Sequence, residues 1–474
     1  MSDAPRTATP APISWRWLAL VWIVALAVRL AGFAAIGPTR LVGDEHHYLT
    51  TARSIASGAG HWNGTLRTAA QWPPGQAAFL ALASDGATAS VADDTPAPRA
   101  AVLAEILAGS VIPVATCLLG ALLFGPSAGL AAGVIAAVHP ELVAYSQFLW
   151  SENLFTALVT LAAAIALSGA TPPEAGARPP GLRSALISGL LFGLAILTRE
   201  EGALVALAVF AASLTGNEAR ARAARRIALV SVVTIAVVAP WSVRNARLLG
   251  RLVPVSTVGW MGAAEGNVIG SSWLHREPGA VRAWRERYFA IDGDVARMDF
   301  ARASAIAAIA DAQPTWIVRK LVLNLPRLWS PDSFLFRKLG VRTADAPALG
   351  WLRAALVTQV IAHLTVVGLA ILGLAGERDR RRRSFGALTI ASITALHVVA
   401  NASSRYRLPL VPILTVYAAA ALVDIPTAMR NLGRRQRALA IALLAGLVLC
   451  SASFAPKAAQ LWMHGVGATS AAAE

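Results

Sequence analysis

The chain has 474 residues, of which 56% are hydrophobic and 14% are charged, and its mean hydropathy is +0.57. Long apolar runs recur throughout, which excludes a soluble globular protein and indicates an all-α membrane protein that crosses the bilayer many times. The formal net charge is +16, but the arginines lie in short loops between apolar runs, as the positive-inside rule produces. We therefore expect no nucleic-acid partner.

The first apolar run covers residues 15–36 and follows a basic tail, residues 1–14, which places the N-terminus in the cytoplasm. No small-residue cleavage site follows this run, so it is expected to remain as an anchor. The polar segment 37–99 then lies on the external side. It holds the first cluster of acids and histidines in the chain, which on its own could be a catalytic segment or a solvated loop end.

The external segment begins with the acid pair Asp44 and Glu45, followed by two histidines. Apolar residues at helical spacing over residues 46–57 predict a short amphipathic helix on the membrane surface. Pro73-Pro74 is expected to end any helix, and a second short helix is predicted over residues 76–84.

The later apolar runs predict the remaining spans. One run, residues 184–215, is interrupted by the charged triplet 199–201, and each charge in the membrane would cost about 2.5–3.5 kcal/mol. Two short helices with the charges at the external surface are therefore predicted there. The other spans are predicted over residues 100–124, 127–143, 154–168, 227–243, 351–374, 385–400, 408–423 and 438–454.

This reading gives about eleven spans, with every arginine-dense short loop on the cytoplasmic side. The membrane domain is expected to cover residues 15–455, in the cytoplasmic membrane of the cell. A large external loop over residues 244–350 is expected to bind substrate or acceptor and to contain a helix over residues 294–312. An external tail, residues 456–474, would follow the last span.

The predicted topology brings acids and arginines to the same membrane face. They are Asp44, Glu45, Glu152, Arg199, Glu200, Glu201, Arg244, Arg405 and Arg407. Guanidinium groups match the oxygens of a phosphate, and a carboxylate can accept the proton of an attacking hydroxyl. The same arginines could instead anchor helix ends at the interface, and Glu152 could be a solvated turn residue. The acid pair in Asp292-Gly293-Asp294 is a weak metal-binding pattern.

The order of several short motifs resembles the GT-C class of lipid-linked sugar transferases, and it does so across residues 15–425. The branch it resembles includes bacterial protein O-mannosyltransferases and the aminoarabinose transferase of lipid A. The motifs are Gly43-Asp44-Glu45-x-x-Tyr48, Pro73-Pro74-Gly75, Ser151-Glu152-Asn153-Leu154-Phe155, Thr198-Arg199-Glu200-Glu201-Gly202, Pro240-Trp241-Ser242-Val243-Arg244-Asn245, Gly266-Asn267 and Arg405-Tyr406-Arg407-Leu408-Pro409.

The resemblance implies an inverting glycosyltransferase that moves a sugar from a polyprenyl-phosphate donor to a cell-envelope acceptor. Asp44 would be the catalytic base and Glu45 would assist it. The donor phosphate would bind Arg199, Arg405, Arg407 and Arg53. The cavity would be lined by Tyr48, Pro73, Pro74, Glu152, Glu200, Arg244, Asn245, Asn267 and Tyr406.

Two other functions remain open on the sequence alone. A multi-pass transporter or lipid flippase could also place charges in an outer vestibule, although no internal repeat is evident. An enzyme of the same fold type could use a diphosphate-linked donor. No cofactor is required, and no metal-ligand set stands out, but a divalent ion on the carboxylates is possible.

Overall fold

The computed structural model describes residues 13–36, 40–64, 67–84, 96–169, 181–216, 218–269, 278–331, 335 and 349–464. Helices dominate these residues, and no β-strand occurs among them apart from two isolated bridges. Seven helices are long and apolar enough to cross a membrane, and three more are apolar but shorter. The prediction of an all-α polytopic membrane protein is confirmed.

Eleven helices in the described residues occupy the predicted apolar runs. They are α1 (Trp15–Ile36), α4 (Arg99–Phe124), α5 (Pro126–Val138), α7 (Ser151–Ser168), α8 (Gly181–Thr198), α9 (Gly202–Thr215), α10 (Arg220–Leu249), α15 (Leu349–Ala375), α16 (Arg380–Val399), α17 (Leu410–Val423) and α19 (Arg434–Ala452).

The remaining helices are shorter or lie in the segments predicted to be external. They are α2 (Asp44–Ala56), α3 (Pro74–Ala81), α6 (Pro140–Tyr145), α11 (Val258–Ala264), α12 (Pro278–Ala290), α13 (Asp294–Asp311), α14 (Trp316–Trp329), α18 (Ile425–Arg430) and α20 (Ala455–His464). A π-helical turn, Glu265–Ile269, continues α11, and a 3₁₀ turn, Ser404–Arg407, precedes α17.

The predicted third span, residues 127–143, is wrong as a single helix. It is divided between α5 and α6, because Pro140 has no amide hydrogen and holds His139 in an extended conformation. The break is bridged by Arg29 of α1, whose guanidinium donates to the carbonyl oxygens of Ala137 and Leu142 at 3.2 and 3.3 Å. A buried arginine thereby satisfies backbone groups at the helix break.

Two other boundaries differ from the predictions. Helix α10 extends well beyond residues 227–243, because Pro240 lies inside it rather than at its end. Helix α3 includes Pro74 as its first residue, where the missing amide hydrogen costs nothing. The predicted division of residues 184–215 into two helices is correct, since α8 ends at Thr198 and α9 begins at Gly202.

The core lies where α4 and α7 pack against each other and against α5, α8 and α17. At one end of this bundle, five chain segments meet. They are the start of α2, the start of α7, the turn between α8 and α9, the end of α16 and the 3₁₀ turn before α17. This junction contains the charged residues that the sequence motifs single out.

Candidate active site

Asp44 is the first residue of α2 and follows Gly43, whose φ of 63° is a backbone conformation that glycine adopts easily. The position is electrostatically favourable for a carboxylate, because the free amide groups at a helix N-terminus carry partial positive charge. The local sequence thus fixes Asp44 at a helix start. The same reasoning applies to Glu152, which lies in the first turn of α7.

A continuous chain of ion pairs connects Asp44 to the turn between α8 and α9. Arg405 contacts Asp44 Oδ2 through Nη2 at 2.7 Å and Glu152 Oε1 through Nε at 3.0 Å. The same oxygen of Glu152 accepts from Nη1 of Arg199 at 2.9 Å. Arg199 then contacts Oε1 of Glu201 through Nε, also at 2.9 Å. We call these five residues the ion-pair chain.

The far end of the ion-pair chain meets a histidine and a tyrosine. His397, at the end of α16, lies with its Nε2 3.3 Å from Oε2 of Glu201. Its ring stacks on Tyr406 with centroids 4.6 Å apart. The guanidinium carbons of Arg199 and Arg405 lie 5.5 and 5.1 Å from the centre of the Tyr406 ring. Tyr406 therefore supports both cations from one side.

The members of the ion-pair chain differ in exposure, and this difference separates their roles. The Glu152 side chain is 2% exposed, whereas that of Asp44 is 26% exposed. A buried carboxylate needs paired charges, and Glu152 obtains them from two guanidiniums. Asp44 is the carboxylate of the chain that a bound molecule reaches most readily.

The pKa values reflect this mutual pairing. Burial lowers the pKa of Arg405, but the carboxylates of Glu152 and Asp44 outweigh burial and raise that pKa well above its usual range. Burial likewise raises the pKa of Glu201, yet Arg199 and His397 bring it down to about 2. Both groups are therefore charged at neutral pH.

Glu45 lies beside Asp44 in sequence but outside the ion-pair chain. Its carboxylate is fully buried and accepts from the backbone amides of Val42 at 2.7 Å and Leu149 at 2.8 Å. These bonds fasten the start of α2 to the segment before α7. The contacts favour a structural role for Glu45 over the assisting role expected from the resemblance.

Tyr48 and Ser151 connect α2 to the ion-pair chain through hydrogen bonds. The Tyr48 hydroxyl donates to Ser151 Oγ at 3.0 Å, and the same oxygen accepts from Arg199 at 3.1 Å. Burial raises the pKa of the Tyr48 hydroxyl well above its usual value, so it remains a hydrogen-bond donor. Tyr48 also contacts Trp72, with ring centroids 5.9 Å apart.

The two prolines of the Trp72–Gly75 motif are buried, and they begin α3. Gly75 behind them touches the end of α8. A Cβ atom at Gly75 would lie 2.4 Å from Oγ1 of Thr198 and 2.9 Å from the carbonyl oxygen of Leu197. This motif therefore fixes α3 against the helix end that carries Arg199.

Three candidate residues near the site form hydrogen bonds elsewhere and do not belong to the ion-pair chain. Glu200 accepts from the amide and hydroxyl of Ser256 at 2.9 and 2.6 Å. Arg244 donates to the carbonyl oxygens of Ala69 and His61 at 3.0 and 3.2 Å. Asn245 donates to two carbonyl oxygens of the loop after α10.

Asp294 holds the same loop as Arg244, from the opposite side. It begins α13 and accepts from the amides of Ala69 at 2.9 Å and Ala70 at 3.3 Å. Asp294 of the Asp292-Gly293-Asp294 pattern thus anchors residues 69 and 70. Within the described residues, no group of three or more histidine, cysteine, aspartate or glutamate side chains is arranged to hold a metal ion.

The last three candidates lie further from Asp44. Arg407 is fully buried and bonds to Glu141 at 2.5 Å and to two backbone carbonyl oxygens. Asn267 accepts from the Trp316 indole at 2.9 Å and donates to Val399 O at 3.2 Å. Arg53 lies in the last turn of α2, whereas Asp44 begins this helix. Phosphate binding by Arg407 and Arg53 gains no support from these positions.

Sequence reasoning missed the roles of Ser151, Glu201 and His397 as candidate site residues. His397 is the only ionisable residue in the apolar run 385–400, and such residues tend to be functional in membrane proteins. Glu201 lies in the motif Thr198-Arg199-Glu200-Glu201-Gly202, but the sequence predicted Glu200, and not Glu201, as the residue that lines the cavity. Only the turn geometry between α8 and α9 decides which of the two adjacent acids faces Arg199.

Residues 88–243 match the sequence model of a family described as dolichyl-phosphate-mannose-protein mannosyltransferase. This range contains Glu152 and Arg199 and ends before Arg405. No curated protein matches the chain in sequence closely enough to count as a relative.

The fold is similar to that of solved membrane glycosyltransferases. Archaeal oligosaccharyltransferase AglB from Archaeoglobus fulgidus, in complex with an inhibitory peptide and a dolichol-phosphate, aligns over 95% of this chain and 56% of its own, at 15% identity and a TM-score of 0.51. The same enzyme with zinc and sulfate aligns over 94% and 53%, at 15% identity and a TM-score of 0.50. ArnT from Cupriavidus metallidurans bound to undecaprenyl phosphate aligns over 87% of this chain and 80% of its own, at 17% identity and a TM-score of 0.42.

The chain spans about half the length of the oligosaccharyltransferase. The fold is nevertheless that of a GT-C-class membrane glycosyltransferase, and the resemblance predicted from the motifs is confirmed. The chain is a multi-pass membrane protein with this fold.

Proposed function

We propose that this protein is an inverting glycosyltransferase that moves a sugar from a polyprenyl-phosphate donor to a cell-envelope acceptor. The acceptor is a lipid, polysaccharide or protein on the external face of the cytoplasmic membrane. The observation that carries the proposal is the geometry around Asp44, the partly exposed carboxylate at the end of a buried chain of carboxylates and guanidiniums.

Asp44 is the proposed general base. An acceptor hydroxyl within hydrogen-bond reach of its carboxylate gives up its proton to Asp44 as the oxygen attacks the anomeric carbon of the donor. The new bond joins the acceptor oxygen to this carbon, while the bond from the carbon to the phosphate oxygen breaks. The leaving polyprenyl phosphate keeps the electron pair, and attack from the opposite face inverts the configuration.

Arg405 is the proposed ligand of the departing phosphate, with Arg199 behind it. A guanidinium donates several hydrogen bonds in a planar fork, so Arg405 can contact a phosphate while retaining Glu152. Its present bond to Asp44 holds the carboxylate in place at 2.7 Å. Transfer of this bond to the donor phosphate would release a lone pair of Asp44 to accept the hydroxyl proton.

The two loops on the proposed external side have different proposed roles. The loop over residues 37–99 supplies Asp44, and the loop over residues 244–350 is the proposed acceptor-binding part, fastened to the first through Arg244 and Asp294. The dolichol-phosphate bound by AglB supports a lipid-phosphate donor for this chain.

Purified protein in detergent, supplied with radiolabelled polyprenyl-phosphate sugars and a cell-envelope extract, tests the proposal directly. Transfer of label to a lipid, polysaccharide or protein of the extract is expected. The same preparation in vesicles should not move the labelled lipid across the membrane. Movement of the labelled lipid without transfer of the sugar would show that the protein is a flippase and not a glycosyltransferase.

A further inference from the structure

Helix α14 has its polarity reversed relative to a helix that lies in water. Its outward-facing side chains are Ile317, Val318, Leu321 and Val322, at the spacing of one helix face. Val318 and Val322 are 58% and 65% exposed. A water-facing helix normally presents polar residues on such a surface.

The face of α14 opposite Val318 and Val322 carries two polar residues that are turned into the protein. Lys320 is buried and donates to the carbonyl oxygen of Gly266 at 2.5 Å. One turn later, buried Asn324 donates to the carbonyl oxygen of Val398 at 2.7 Å. These bonds fix the rotation of the helix, because a turn toward water would leave two buried carbonyl groups without donors. The apolar face is therefore held outward.

The helices that pack against α14 indicate what contacts its apolar face. The helix packs against α16 and against α19, and α19 meets the length and composition of a membrane span. Ile441 and Leu449 of α19 are exposed apolar side chains of this span. The apolar face of α14 therefore lies beside a helix that has the length and composition of a membrane span and exposed apolar side chains.

We propose that α14 is immersed in the bilayer with Ile317, Val318, Leu321 and Val322 in contact with lipid acyl chains. Its 14 residues extend over about 21 Å, which is too short to cross a hydrocarbon core of about 30 Å. The helix enters one leaflet only. Exposed Arg319, in its first turns, extends to the lipid head groups. Part of the segment 244–350 therefore lies in the membrane and not in the external solution.

Spin labels on single cysteines test this placement in proteoliposomes. The background variant carries Cys117→Ser and Cys450→Ser, and labels are placed through Val318→Cys or Val322→Cys. Ile441→Cys serves as the lipid-facing control, and Ala303→Cys on the exposed side of α13 as the water-facing control. The readout is the ratio of the collision rates of the label with oxygen and with a water-soluble nickel chelate.

The expected ratio at Val318 and Val322 equals that at Ile441 and is several-fold higher than that at Ala303. A ratio equal to that at Ala303 would place the face in water. Low collision rates with both reagents would place it under another protein copy. Either result overturns the proposal. A fluorescent label on the same cysteines, quenched by lipids with brominated acyl chains, provides a second readout that needs no spin label.

Discussion

Arg405 donates a hydrogen bond of 2.7 Å to Asp44, although 361 positions separate the two residues in the chain. The bond connects the start of α2 to the 3₁₀ turn before α17. It places the most accessible carboxylate of the ion-pair chain next to a cation that suits phosphate. The proposed base and the proposed phosphate ligand are therefore already in contact.

Replacement of Arg405 by lysine should separate charge from geometry. Arg405→Lys keeps one positive charge but lacks the planar fork of donors with which Arg405 can contact Glu152 and a phosphate together. We expect a fall of about a hundredfold or more in transfer rate, as when a transition-state donor is removed. Arg251→Lys is the matched control, because Arg251 forms an exposed pair with Asp299. Equal activity in both variants would remove Arg405 from the mechanism.

Glu152→Gln should affect stability as well as activity. The substitution leaves Arg199 and Arg405 without the carboxylate that they share, and loss of one partner of a buried pair costs about 3–5 kcal/mol. We expect a lower thermal-unfolding midpoint in detergent and loss of transfer. Glu286→Gln, at an exposed position of α12, should leave both unchanged. An unchanged midpoint for Glu152→Gln would mean that water already screens this pair.

Gly75→Ala should destabilise the protein through overcrowding. The added methyl group would press against Thr198 and the carbonyl oxygen of Leu197, and such overpacking costs about 1–3 kcal/mol. Gly262→Ala in α11 is the control, because no atom lies within 4 Å of the added carbon there. Thermal unfolding of the two variants checks the close approach of α3 to α8.

The loop over residues 61–70 should make stability depend on pH. The pKa of His61 is about 4, below its ordinary value of 6.5, because burial lowers it most and Arg244 lowers it as well, while the bond to Ala69 acts in the opposite direction. The unfolded chain therefore binds more protons between pH 6.5 and 4, so stability falls as pH decreases through this window and levels off below it. Replacement of His61 by Gln should reduce the change of the thermal-unfolding midpoint with pH across that range. The same slope in the variant would assign it to another group.

Much of the fold followed from the apolar runs, because hydrocarbon forces every spanning segment to satisfy its own backbone. The break at His139-Pro140 was missed, although His139, Pro140 and Glu141 interrupt the apolar run there. Helix α14 was not among the predicted helices of the segment 244–350. Only the bonds of Lys320 and Asn324 decide which face is buried.

The candidate site was predictable to the extent that topology brought distant charges to one membrane face. Asp44, Glu152, Arg199 and Arg405 were named from the sequence, and the structure brings them together. Arg407, two residues after Arg405, is outside the ion-pair chain and binds Glu141. The direction of adjacent side chains depends on the turn geometry, which motifs of this length do not specify.

The central claim is that Asp44 removes the acceptor proton, and substitution of this residue tests it most directly. Asp44→Asn keeps the shape of the side chain and removes the base, while Asp299→Asn makes the same change in an exposed pair on α13. Sugar transfer from a polyprenyl-phosphate donor should be lost in Asp44→Asn and kept in Asp299→Asn, at equal protein level and equal thermal-unfolding midpoint. Full transfer by Asp44→Asn would contradict the account.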